Sequence, residues 1–205
     1  MMACVSLTIM MSESMLRMTR SAALFLIVFA VSLPLEAASA EAGLPPLPYK
    51  DWDACPFECC VYRTWVAEAG TLAHKGPSFS SPERFSIAKG EKVEAITGVV
   101  ITRKAGMVKV LKETTLYPNS DNSPLPLNAG DVIYTLHYLG EGFWLFWFRG
   151  KEYQADMPSV EYPDPTGVFS VVANPKTEWW VLVRNAKGQV GWCDADDFGG
   201  NDACG

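Results

Sequence analysis

The chain has 205 residues, 49% of them hydrophobic, 12% aromatic and 20% charged, with seven Trp among them. That much apolar surface offsets the entropy of ordering and argues against a disordered chain. A net charge of -6 gives no attraction to phosphate backbones or anionic lipid, which argues against nucleic acid and membrane surfaces as partners.

Residues 1–40 read as a secretory signal peptide. Arg20 supplies the basic start, the apolar run from Ala22 ends at Leu33 before Pro34, and Ala38-Ser39-Ala40 forms an A-x-A cleavage site before Glu41. A membrane-spanning helix needs about 20 apolar residues, so this run predicts cleavage rather than stable insertion. Met18 would begin a compact signal and is an alternative translation start. The first cysteine after the apolar run is Cys55, too distant for lipidation. The expected location is therefore periplasmic or secreted, where disulfides persist.

Residues 41–61 form a Pro- and Cys-rich lead-in, opening with the extended Gly43-Leu44-Pro45-Pro46-Leu47-Pro48-Tyr49. From Tyr62 onward short β-rich runs alternate with Gly, Pro, Asn and Ser. They are Thr64 to Ala69, Lys92 to Thr102, Met107 to Lys112, Val132 to Leu139, Phe143 to Phe148, Phe169 to Ala173 and Trp179 to Arg184. No stretch sustains a helical period, and the fold class is all-β, with small barrels stabilised by disulfides.

Two segments repeat. Ala88-Lys89-Gly90-Glu91-Lys92-Val93 and Asn128-Ala129-Gly130-Asp131-Val132-Ile133 each place a Gly-acid pair before a β-branched residue, 40 positions apart. Each predicts a turn feeding a strand, because Gly accepts positive φ and the branched residue suits a pleated face. The repeat divides the chain into barrels over 62–118 and 124–198, with a tail at 199–205, the alternative being one barrel with an elaborated neighbour. Pro158, Pro163 and Pro165 make 154–167 an irregular insertion. A connection of that length is either functional or a sign of wrong element assignment.

The stretch from Glu178 to Phe198 pairs Trp179-Trp180 with a Lys187-Gly188 hairpin turn, then Gly191-Trp192, a polar turn and Phe198. It resembles the distal half of a bacterial SH3-like barrel. The resemblance implies a small cell-envelope domain that binds peptide or peptidoglycan. It also implies that Trp179 faces a ligand groove, Trp180 the opposite sheet face and Trp192 the core. The Pro expected near Cys193 is Asp194, which departs from the eukaryotic groove for Pro-rich peptides.

The aromatic run Phe143 to Phe148 sorts into two faces, Phe143, Leu145 and Trp147 on one and Trp144, Phe146 and Phe148 on the other. One set packs in the core, and the other is either buried by the neighbouring barrel, the favoured reading, or forms a binding surface, for which Trp144 and Phe146 join Trp179 as ligand-binding candidates. Cys55, Cys59, Cys60, Cys193 and Cys204 are disulfide candidates, and a Cys193–Cys204 bridge closes easily across Gly199-Gly200. Five cysteines leave one thiol over. Adjacent Cys59 and Cys60 cannot point the same way on an extended strand, and no second Cys pair or close His completes a metal site. His74 and His137 have no nucleophile signature beside them, so no catalytic residue is assigned. Asp194, Asp196, Asp197 and Asp202 lack the spacing of a calcium loop and read as a solvated turn. The expected function is a non-catalytic envelope binding module without metal or cofactor, whose partner is a peptide, peptidoglycan or another protein. Two alternatives are an exported thiol-redox or metal-binding protein centred on Cys55, Cys59 and Cys60, and a structural accessory subunit that binds protein through an aromatic face.

Overall fold

The computed structural model describes residues 43–119, 123–159 and 162–204; the expected signal peptide, the start at Met18 and the cleavage site before Glu41 lie outside the described residues. Alternating apolar and polar positions, interrupted by turn residues, fold these segments into fifteen short strands. In chain order they are β1 (Tyr49–Trp52), β2 (Thr64–Ala67), β3 (Thr71–His74), β4 (Glu83–Ile87) and β5 (Lys92–Lys104), then β6 (Met107–Val110), β7 (Thr114–Leu116), β8 (Leu125–Leu127), β9 (Val132–Gly140), β10 (Phe143–Phe148), β11 (Lys151–Asp156) and β12 (Phe169–Ala173). The last three are β13 (Lys176–Arg184), β14 (Val190–Asp194) and β15 (Phe198–Gly199), with a 3-10 turn at Ala195–Asp197. The described residues contain no α-helix, and none of their helices is long and apolar enough to cross a membrane.

The strands do not follow the tandem partition into 62–118 and 124–198. The larger, curled sheet has the order β15-β2-β5-β13-β14-β3-β4, with β1 added to β5. The second runs β11-β10-β9-β6-β12, and all of it lies in the chain between β5 and β13. One sheet is thus nested inside a connection of the other. Short-range turn signals mark where strands begin but carry no information about which strands pair. Here burial decides: β13 pairs along nearly the whole of β5, and Val181 and Val183 complete a core begun by Trp65, Ala67, Val93 and Ala95. The insertion placed at 154–167 also starts later, because β11 continues to Asp156 in register with β10.

The repeated turns occupy matching places. In the first, Glu91 Oε2 accepts from the Ala88 amide at 3.1 Å, Gly90 N–H donates to Ala67 O, and Ala67 N–H donates to Glu91 O. In the second, Asp131 Oδ2 accepts from the Asn128 amide at 2.8 Å, Gly130 N–H donates to Val110 O, and Val110 N–H donates to Asp131 O. Both glycines have positive φ, +81° and +95°. The sheets match in the same way: β2, β5, β13, β14 and β15 correspond to β6, β9, β10, β11 and β12 in both order and pairing. A hairpin, β3–β4 or β7–β8, follows the first strand of each set.

Each sheet has its own core. Trp65, Ile87, Val181 and Phe198 anchor the first, and Val108, Leu127, Ile133, Phe146 and Phe148 the second. The opposite face of the larger sheet carries a third cluster of Val99, Ile101 and Trp180. Trp180 does point away from Trp179, as alternation predicts, yet it is 1% exposed because Phe79 closes over it at 4.7 Å between ring centres. Trp192 was expected in the core and is instead half-buried, edge-on to the exposed Trp52 at 5.9 Å. It shares the outer face with His74, its cross-strand partner.

The lead-in ties the two sheets together. Asp51 on β1 bonds the buried His137 of β9 at 2.8 Å, Tyr49 donates to Glu152 of β11, and Thr102 of β5 donates to Leu136 O of β9. Beyond β1 come two disulfides, Cys55–Cys60 and Cys59–Cys204, with Cα separations of 5.5 and 5.7 Å. The expected Cys193–Cys204 bridge is corrected. After Cys193 the 3-10 turn and β15 carry the chain to the opposite end of the sheet order, where Ala203 N–H donates to Cys59 O and Arg63 donates to Gly200 O and Asp202 O. Cys193 is the free thiol, facing the first core at 0% exposure. Burial, reinforced by the charges of Asp197 and Asp194, pushes its thiol up to about 12. Folded protein at pH 8 should therefore not react with a thiol reagent, whereas unfolded protein should expose this group. Rapid labelling of the folded protein would show that Cys193 is misplaced.

Candidate functional site

A cleft of about 870 Å³ opens at one end of the smaller sheet. Its floor is Trp144, the first residue of β10 on the core face, with Tyr138 of β9 meeting it edge-on at 5.4 Å. Trp144 stays half-buried because strand β10 starts there: Phe146 and Phe148, further along the same face, are enclosed by the core. Phe146, expected to bind ligand, is 0% exposed and stacks on Tyr153; alternation put it on the correct face, but the core covers that face beyond Trp144. The other wall is the connection after β11, contributing Met157, Pro158, Ser159, Tyr162, Pro163 and Pro165. Tyr162 is 81% exposed.

That wall is shaped by Asp164. Its carboxylate accepts from Thr166 Oγ1 at 2.7 Å, Thr166 N at 2.8 Å, Val168 N at 2.7 Å and Phe169 N at 2.9 Å. These bonds, the Thr166 hydroxyl foremost, hold its carboxyl at about 2. Because the folded value lies below the usual value of about 3.9, the contribution to stability is present above that pH and is lost as pH falls through about 2. Acid titrations of wild type and Asp164→Asn should thus differ near neutrality and converge between about pH 4 and 2. Parallel curves across that window would count against the assignment. Asp156, at the end of β11, lies on the opposite rim, its carboxylate beside Gly142.

Trp179 stands at the matching place in the larger sheet, on the core face ahead of Val181, and lines a smaller cleft of about 490 Å³. There the lead-in fills the space: Phe57, between Cys55 and Cys60, sits edge-on to Trp179 at 5.7 Å. Trp65 contacts the same indole from the core at 5.5 Å. The structure thus brings together neither Trp179 and Trp144 nor either of them with an accessible Phe146. Sequence reading missed Tyr138, Asp156, Tyr162 and Asp164. The available signal was the Pro-rich connection itself, whose length already marked it as functional or misassigned.

Both histidines are buried and hydrogen-bonded. His137 is 2% exposed, with Nδ1 against Tyr138 O and Nε2 against Asp51, and His74 is held by Ser81 O at 2.8 Å beneath Phe79. Asp194 caps the 3-10 turn through Asp196 N–H, matching the expected polar turn, and desolvation raises its carboxyl above the ordinary range. Cys59, Cys204 and Asp202 converge, but the two sulfurs are joined to each other and offer no thiolate to a metal. No family model matches the chain, and no curated protein or solved structure does either.

Proposed function

We propose that the chain is an exported, non-catalytic binding module of the cell envelope that holds a peptide, or the peptide portion of peptidoglycan, over Trp144. The observation that carries this reading is the open aromatic cleft of about 870 Å³, with a few polar groups at its rim. The duplicated strand order and turn support two SH3-like barrels, the second inserted between the second and third strands of the first. The groove of the larger sheet is narrower than that over Trp144, since Phe57 of the lead-in packs edge-on against Trp179. The two bridges, which persist in oxidising compartments, support a periplasmic or secreted location. Among the described residues the titratable side chains of the cleft are two aspartates and two tyrosines, which offer a ligand hydrogen bonds and negative charge.

Titration with soluble muropeptides, followed by Trp fluorescence and calorimetry, tests the reading. Saturable binding is expected, with Trp144→Ala weakening it by about tenfold or more, as aromatic anchors do, and Trp52→Ala leaving it unchanged. Absence of saturable binding, or a Trp144→Ala variant that binds like wild type, overturns the proposal.

A further inference from the structure

Charge at the cleft over Trp144 is one-sided. Among the described residues no Lys or Arg lines it, and the carboxylates that do are Asp156 and Asp164. Lys112, near the outer wall, donates to Thr166 O. The two aspartates differ in availability. Asp164 already accepts from three backbone amides and a hydroxyl, so it contributes a fixed negative charge without a free acceptor geometry. Asp156 is exposed, and among the described residues no donor is bonded to its carboxylate.

Asp156 pairs with Phe143 across the β10–β11 ladder, which brings its carboxylate over the β9–β10 turn. Gly142 in that turn has φ +87°, which favours glycine, and a Cβ there would stand 2.8 Å from Asp156 Oδ1, so a side chain at 142 would push the carboxylate aside. The Gly142 N–H is not available to the carboxylate, because it donates to Tyr138 Oη at 3.0 Å. Asp156, Tyr138 and Trp144 line the same cleft.

We infer that this cleft binds the organic cation of a peptide ligand, an ammonium or guanidinium, through the Asp156 carboxylate, with Tyr138 and Trp144 as its aromatic lining. The inference rests on the binding-module reading and adds the ligand's charge to it. Aromatic faces attract a desolvated cation through their quadrupole, and the carboxylate supplies the counter-charge. A divalent metal is disfavoured in this cleft, since Ca²⁺ takes six to eight oxygens and only one uncommitted carboxylate is offered.

The experiment compares a soluble muropeptide mixture with its amines free and the same mixture after N-acetylation, each titrated into wild type, Asp156→Asn and Trp144→Ala. Acetylation should weaken binding to wild type about tenfold, and Asp156→Asn should bind both mixtures alike at the weakened level. Matching melts for wild type and Asp156→Asn establish that the fold is intact, and the acetylation arm needs no variant. If wild type binds both mixtures equally while Trp144→Ala loses both, the cation proposal falls and the binding-module reading stands. If wild type binds neither, both fall.

Discussion

Removing the Cys59–Cys204 bridge, as Cys59→Ser with Cys204→Ser, should lower the free energy of unfolding by about 5 kcal/mol, whereas removing Cys55–Cys60 should cost about 2 kcal/mol. The difference follows from loop length. One bridge spans 145 residues and the other five, and the chain entropy denied to the unfolded state grows with the logarithm of the loop. The long bridge also fastens the tail along residues 59–63, where Val61 N–H donates to Asn201 O and Cys60 forms an isolated bridge with Asp202. Since small domains are stable by only about 5 to 15 kcal/mol, the double variant should be partly unfolded in mild denaturant. Denaturation curves for the two paired variants decide the matter. A larger loss on removing Cys55–Cys60 would contradict the pairing.

The strands legible in the sequence were those with an unambiguous local pattern. Val132 to Leu139, Phe143 to Phe148 and Phe169 to Ala173 lie within one residue of β9, β10 and β12. Short strands such as β3, β7 and β8 escaped, because three or four residues do not establish alternation. The nesting escaped for a different reason. Lys92 to Thr102 and Trp179 to Arg184 each read correctly as strands, but their pairing across more than seventy positions is fixed by the core they share. Cysteine spacing failed in the same way: Cys193 and Cys204 are close in the chain, while the intervening turn separates them across the sheet. For the cleft, the sequence marked Trp144 and the Pro-rich wall separately. Nothing local showed that Asp156 and Tyr138 would meet them there, since that requires the register of β9, β10 and β11.

Trp180→Ala should cost about 3 to 5 kcal/mol, and Trp192→Ala distinctly less, about 1 to 2 kcal/mol. Trp180 is wholly enclosed on the outer face by Val99, Ile101, Phe79 and His74. Its indole N–H donates to Glu178 Oε2 at 3.3 Å, and that carboxylate is itself oriented by Arg103 through bonds of 2.9 and 2.8 Å. Truncation would remove the apolar burial, leave a cavity and release Phe79, which is 66% exposed and held down chiefly by this contact. Hydrogen exchange in the 75–82 loop should therefore rise in Trp180→Ala, where Ser81 N–H to Ser78 O and Lys75 N–H to Pro82 O now close the loop. Trp192 offers less to lose, because one side of its ring meets only exposed Trp52 and solvent. Urea melts of the two variants separate these environments, and a Trp192→Ala loss equal to or larger than that of Trp180→Ala would place the buried indole on β14 rather than β13.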